Sequence, residues 1–300
     1  MTYTSFSALA RRGGNLPGIG LMLLAILMFS LNDTLGKWLV ATYSVGQILV
    51  VRSIAALILL SPFILRSGVK PFLSIERPRL QALRVLLGGL EVGAFYLAVS
   101  YLPLADAMTF YMAGPIYVTA MSALMLGEKV GIYRWCAVVV GFVGVVVALQ
   151  PSAGSLGTGS LVAIAASLLY SMLLVATRYL RHTPNTVLVS TQIAGSLTFG
   201  LIISVWDWVP VAPSDLALLA LLGVVSVSAF ALVNASLKLS PASVVVPFQY
   251  TLLIWALVFG YLFFGNLPQA HTIAGAVIIV AAGLFIFVRE QRVEARKALG

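Results

Sequence analysis

Charge is what this sequence lacks most. Only 9% of its 300 residues are Asp, Glu, Lys or Arg, and 61% are hydrophobic; an ordinary soluble domain carries about 25% charged residues. So few charges cannot cover a soluble protein of this size, but they can flank a belt that faces lipid. A single cysteine, Cys136, excludes an internal disulfide and a cysteine-based zinc site. Two histidines, His182 and His271, leave little for a histidine metal site, so neither metal nor cofactor is expected. The P-loop pattern is absent, which excludes an ATPase within this chain, and no G-x-S-G or G-x-S-x-G serine motif occurs. An enzyme is therefore not expected. Acidic residues are also scarce, nine against 18 Lys and Arg, for a formal net charge of +9. In a membrane protein that surplus marks loops retained in the cytoplasm rather than a nucleic-acid partner.

What is abundant is the long apolar run. A helix needs about 20 mostly apolar residues to cross a bilayer. Ten such runs are present, near Pro17–Val40, Gly46–Leu65, Leu80–Tyr101, Pro103–Leu126, Ile132–Leu149, Gly159–Leu180, Thr186–Val205, Asp215–Leu237, Pro241–Phe264 and His271–Val288. Stretches such as Val138–Leu149 do not alternate in polarity, which excludes an outer-membrane barrel. Only Leu102 and Pro103 separate the third and fourth runs, so a tight hairpin is expected there. The first run is long, holds Asn32, Asp33 and Lys37, and has no A-x-A site after it, unlike a cleaved signal peptide.

The basic residues sort to alternate loops. One set contains Arg11, Arg12, Arg66, Lys70, Arg77, Arg79, Lys129, Arg134, Arg181, Lys238 and the C-terminal Arg289, Arg292, Arg296 and Lys297; the other set of loops contains no Lys or Arg. The positive-inside rule then puts both termini in the cytoplasm of a cell bounded by this membrane, a bacterial inner membrane.

The chain is also duplicated. An offset of 141 residues lays Gly18 on Gly159, Phe29-Ser30 on Tyr170-Ser171 and Lys37-Trp38-Leu39 on Arg178-Tyr179-Leu180. An offset of 138 lays Pro103 on Pro241 and Gly127-Glu128 on Gly265-Asn266. Five spans per copy invert the second copy relative to the first, an arrangement characteristic of secondary transporters. The expected fold is thus all-α and integral to the membrane, with ten transmembrane helices in two inverted five-helix repeats around a central cavity. The division is a cytoplasmic segment over 1–16, a first repeat over 17–149, a linker over 150–158, a second repeat over 159–288 and a cytoplasmic tail over 289–300.

These motifs carry a resemblance. Gly18 through Ser30 to Lys37, and Leu126-Gly127-Glu128 followed by a small residue and Gly144, resemble the EamA-type repeat of the drug/metabolite transporter superfamily. The second copy, Phe264-Gly265-Asn266 to Gly275 and Gly283, lacks the usual Glu. Within the superfamily the chain looks most like the YddG-like bacterial amino-acid exporters. The superfamily carries amino acids, nucleotide sugars, sugar phosphates and drugs, so the resemblance implies export of a small molecule without choosing among them.

A charge at mid-bilayer costs about 2.5–3.5 kcal/mol on insertion scales, so such residues usually face a bundle interior or a watery cavity. The candidates are Asp33, Lys37, Arg52, Glu91 and Asp106. Asp33 and Lys37 share a helix face and form either a structural pair or part of the path. Arg52 with Asp106 or Glu91 likewise fastens helices or lines the path, and Glu91 is a deep acid able to bind substrate or a proton. Phe29, Tyr96, Tyr101, Tyr111, Tyr170, Phe248, Tyr250, Trp255 and Phe259 are the aromatic candidates for the cavity wall, while Trp38, Trp206 and Trp208 fit an interfacial belt. Helices 1, 3, 4, 6, 8 and 9 are expected to line the cavity, with 5 and 10 peripheral. Two buried cations against three acids suit a zwitterion better than a phosphate. Neutral amino acids, aromatic ones included, are therefore the expected cargo; efflux of lipophilic cations is the alternative. Partners are then this substrate and the lipid bilayer, with protons as an open choice of coupling ion and a monomer as the working unit.

Overall fold

The computed structural model describes residues 15–39, 42–101, 110–150, 157–204, 208–264 and 270–299. The described residues are helical, without strands. In chain order the main helices are α1 (Leu16–Leu39), α2 (Val45–Ser67), α3 (Pro78–Tyr101), α4 (Gly114–Met125) and α5 (Ile132–Leu149), then α6 (Thr158–Tyr179), α7 (Asn185–Ile203), α8 (Pro213–Leu239), α9 (Thr251–Phe264) and α10 (Ala270–Leu299). Within them lie six spans long and apolar enough to cross a membrane, in α1, α2, α6, α7, α8 and α10.

Packing follows the inversion. α1 lies along α8 and α3 along α6, while α2 packs on α7 and α5 on α10. If helices 1 to 5 are mates of helices 6 to 10, the first two pairs are interchanged by the repeat axis and the last two are mates meeting each other. The α5–α10 seam is closed by small residues: a Cβ on Gly275 would run into the Gly144 carbonyl and Ala148. On α3, Gly93 gives way to the Phe199 ring of α7. Gly141, the third of the small-residue positions on α5 with Ala137 and Gly144, seats the Tyr250 ring.

Contacts divide the bundle into two ends. At one, Ser240 Oγ donates to the Asn15 carbonyl at 3.2 Å, Arg77 lies 4.4 Å over the Tyr179 ring, and Arg289 lies 4.8 Å over Tyr133. This basic end gathers the start of α1 with the connections that the sequence sorted as Lys- and Arg-bearing. At the opposite end, Tyr43 donates to Asp215 at 2.7 Å, and the Ala212 and Val209 amides donate to Tyr43 Oη and Gln47 Oε1. Trp38 and Trp208 are exposed there, while Trp206 lies outside the described residues.

Three local features differ from the runs read in the sequence. The ninth begins as one α-turn, Ala242–Val245, tightens to a 3₁₀ turn over Val246–Tyr250, and only then becomes α9. Pro247, which has no amide hydrogen to donate, sits in that turn. The tenth helix continues past Val288 to Leu299, because its charged residues leave the apolar stretch without a breaker. A single helical turn, Lys70–Leu73, fills the α2–α3 connection. The expected hairpin at Leu102-Pro103 lies outside the described residues.

Candidate functional site

A cavity of about 200 Å³ lies between the two copies. On α1, Ile26, Phe29, Asn32 and Asp33 face it, at the three- and four-residue spacing that stacks side chains on one helix face. The same spacing places Glu91 and Phe95 on α3, Gln192 and Ser196 on α7, and Ser226 and Phe230 on α8. Arg52 enters from α2, Tyr111 and Met112 precede α4 and Pro115 lies in its first turn, Tyr170 and Leu173 come from α6, and Gln249 and Leu252 come from the middle of the ninth segment. Both copies contribute at matching positions: Phe29 with Tyr170 and Asn32 with Leu173 at the 141 offset, and Tyr111 with Gln249 at 138.

Hydrogen bonds and ring contacts order this wall. Tyr111 Oη donates to Glu91 Oε1, and Gln249 Nε2 donates to Tyr170 Oη at 2.8 Å. The Tyr111 ring stands edge-on to Phe95 at 5.2 Å between centroids and 5.8 Å from Tyr170. Phe29 meets Phe230 edge-on at 5.5 Å. Arg52 acts electrostatically on both Asp33 and Glu91. The cavity therefore holds two carboxylates, one guanidinium and several aromatic faces. The buried carbonyl oxygens of the Asn32 and Gln192 side chains accept no hydrogen bond, so they are available to a ligand's N–H.

Six of the residues singled out in the sequence meet here: Phe29, Asp33, Arg52, Glu91, Tyr111 and Tyr170. Phe248 and Tyr250 do not. Phe248 is in the main apolar core, and Tyr250 donates its hydroxyl to the Val138 carbonyl at 3.2 Å with its ring against Gly141. The 3₁₀ turn that holds all three turns Gln249 to the cavity and its two aromatic neighbours away from it. The side chains of Lys37 and Tyr96, and all of Asp106, lie outside the described residues. α2 and α7 join the lining, which had been expected from α1, α3, α4, α6, α8 and α9 alone. The neutral polar residues Asn32, Gln192, Ser196, Ser226 and Gln249 were missed because Ser, Asn and Gln are common in membrane helices and carry no pattern. The repeat register would have found Gln249, as the mate of Tyr111.

At the basic end a second polar cluster joins the copies. Glu128, just after α4, accepts from the Ala242 amide at 3.0 Å, the Ser243 amide at 3.1 Å and Ser243 Oγ at 2.8 Å, and pairs with Arg178 Nε at 3.3 Å. Arg178 Nη1 in turn donates to the last carbonyls of α8, at Leu237 (2.6 Å) and Lys238 (3.1 Å). Glu128 belongs to the first copy and every one of these partners to the second.

A cavity enclosed by both halves of an inverted helical repeat is the arrangement of many secondary transporters. The EamA-like transporter family matches residues 16–150 and again 157–288, and the chain belongs to that family. It is 26% identical to an S-adenosylmethionine uptake transporter of Rickettsia bellii, over 93% of this chain and 96% of the relative. It is 30% identical to a riboflavin transporter of Rhizobium johnstonii, covering 92% and 93% of the two chains. To a pseudopaline exporter of Pseudomonas aeruginosa it is 27% identical, covering 88% and 94%. A solved crystal structure superposes with a TM-score of 0.75 at 19% identity, over 93% of this chain and 98% of the other, which shows the shared fold. These relatives move unlike metabolites, so membership establishes small-metabolite transport and does not single out amino-acid exporters.

Proposed function

We propose that this transporter carries zwitterionic, amino-acid-type metabolites with a large apolar or aromatic side chain, and that it exports them by alternating access between two repeats, 17–149 and 159–288. The observation that supports this reading is that Arg52, Asp33 and Glu91 line one aromatic-walled cavity together. A guanidinium suits a substrate carboxylate, and a carboxylate or an aromatic face suits its ammonium. Size agrees. An apolar cavity of about 150 Å³ takes up benzene, so this one has room for a ring and a short zwitterionic stem. S-adenosylmethionine, named for the rickettsial relatives, itself contains an amino-acid zwitterion. Sugar phosphates would call for a surplus of cations, and the described lining has a single cation against two acids. Because one chain encloses the whole cavity, a monomer suffices.

Purified protein in liposomes should move labelled phenylalanine and methionine, with the pH-gradient dependence measured in parallel. Movement of a quaternary ammonium dye without either amino acid would replace this reading with cation efflux.

The basic end is assigned to the cytoplasm of a bacterial inner membrane by the positive-inside rule. A reporter active only in the periplasm should be silent after Gly300 and active when inserted over 151–157. A strong signal from the Gly300 fusion would invert the assignment.

A further inference from the structure

Arg84 is among the largest fully buried side chains of the described residues, only 2% exposed, and no described acid pairs with it. Its Nε donates to Thr177 Oγ1 at 2.7 Å, Nη1 to the Leu188 carbonyl at 3.1 Å and Nη2 to Asn234 Oδ1 at 3.4 Å. These acceptors come from α6, α7 and α8, and all are neutral. Buried charges are normally paired with an opposite charge, and an ionisable group inside a membrane is a pathway candidate by default. A second cation, Lys238, is near enough to act on Arg84 electrostatically, and among the described residues it bonds a neutral acceptor, the Thr183 carbonyl. Glu128, the acid of the polar cluster at the basic end, is engaged by Arg178.

The position of Arg84 gives the cation a use. On α8, Ser226 and Phe230 line the cavity and Asn234 is the next residue of the same face at four-residue spacing. On α7, Ser196 and Gln192 line it and Leu188 is next. On α3, Gly88 leaves room for the Gln192 amide, which a Cβ there would strike, and Arg84 is one turn further. Arg84 thus lies in the layer that continues three lining faces toward the basic end. Polar atoms without partners mark the same track, namely Gln192 Oε1, Asn234 Nδ2 and, one turn before Arg84, Gln81 Oε1.

We infer that Arg84 is a second carboxylate-binding residue, which receives the substrate as the cavity opens toward the basic end, as Arg52 holds it in the cavity seen here. The inference rests on the carboxylate-bearing cargo proposed above. It involves binding only. A guanidinium has five N–H donors, and three of Arg84's nitrogens are each satisfied once, so two donors remain for a planar carboxylate.

The test uses membrane vesicles of opposite sidedness, so that phenylalanine is presented to each end in turn. For Arg84→Gln, KM from the basic end should rise about tenfold or more, the size of one lost charge-assisted hydrogen bond, with KM from the opposite end unchanged. Arg84→Lys keeps the point charge without the fork, and should show a smaller rise, again at the basic end alone. Equal shifts at both ends in either variant, or no shift in folded Arg84→Gln, would overturn the inference and leave Arg84 a fastener of four helices. Should Arg84→Gln fail to insert, the sidedness of Arg84→Lys decides alone. If the unaltered protein moves no phenylalanine from either end, it is the proposed cargo that fails. If it does and the sided shift is missing, only the role of Arg84 fails.

Discussion

Glu128→Ala should loosen the basic end of the bundle and lower thermal stability by the largest amount of any single polar substitution outside the cavity. The carboxylate satisfies two backbone amides, a serine hydroxyl and the Arg178 guanidinium, and both charged side chains are 10% exposed. Breaking a buried pair by removing one partner costs about 3–5 kcal/mol; the residual water here brings the expectation to the lower part of that range. Because all four partners belong to the second copy, the damage falls on the junction between copies. Val244, fully buried beside this junction, provides the readout. A cysteine there, in a Cys136→Ala background, should react with a water-soluble maleimide about tenfold faster once Glu128 is gone, since a 1.4 kcal/mol shift in an opening equilibrium is already tenfold. Unchanged labelling would mean that Glu128 does not hold this end closed. The second copy carries Asn266 in the matching position, so the acid is found at one end only.

Glu91→Gln should reduce phenylalanine transport about ten- to a hundredfold, with little change in stability. The amide keeps the shape of the side chain and still offers the Tyr111 hydroxyl an acceptor, so the hydrogen bond across to the α4 segment survives. What disappears is the negative charge. A hydrogen bond to a charged group contributes about 1.5–3 kcal/mol, which converts to the stated range at 1.4 kcal/mol per tenfold. Initial rates in proteoliposomes, read beside a thermal melt of the same preparation, separate the two effects. Full activity in the glutamine variant would show that the substrate's ammonium is held elsewhere, with Asp33 the remaining described carboxylate of the cavity.

Much of the fold was legible because a bilayer simplifies the code. An apolar run long enough to cross must become a helix, and basic residues confined to alternate loops count the crossings. The contacts of Asn15 with Ser240 and of Tyr43 with Asp215 and Ala212 tie together the same loops that charge had sorted. Of the site, the ionisable residues Asp33, Arg52 and Glu91 stood out because each is costly in lipid. The aromatic residues did not separate so well. Phe29, Tyr111 and Tyr170 face the cavity, yet Phe248 and Tyr250, on the same segment as Gln249, turn into the core. Only the 3₁₀ turn at Val246–Tyr250, whose period differs from the α-helix, decides that. Arg84, within the run Leu80–Tyr101, was not singled out, because depth along a helix does not reveal that three neighbouring helices will close over it.

The sequence by itself thus determined a ten-span membrane chain, its duplication, the inversion of the second copy and a small set of intramembrane charges, since each follows from local hydrophobicity, charge and count. The tertiary structure decided which helices pair across the copies, α1 with α8 and α3 with α6, and through that which faces meet around the cavity. It also decided that Glu128 spans the two copies and that Arg84 is enclosed by neutral acceptors. Those outcomes depend on residues 50 to 150 positions apart, and no local property of the chain specifies such partners until the helices are packed.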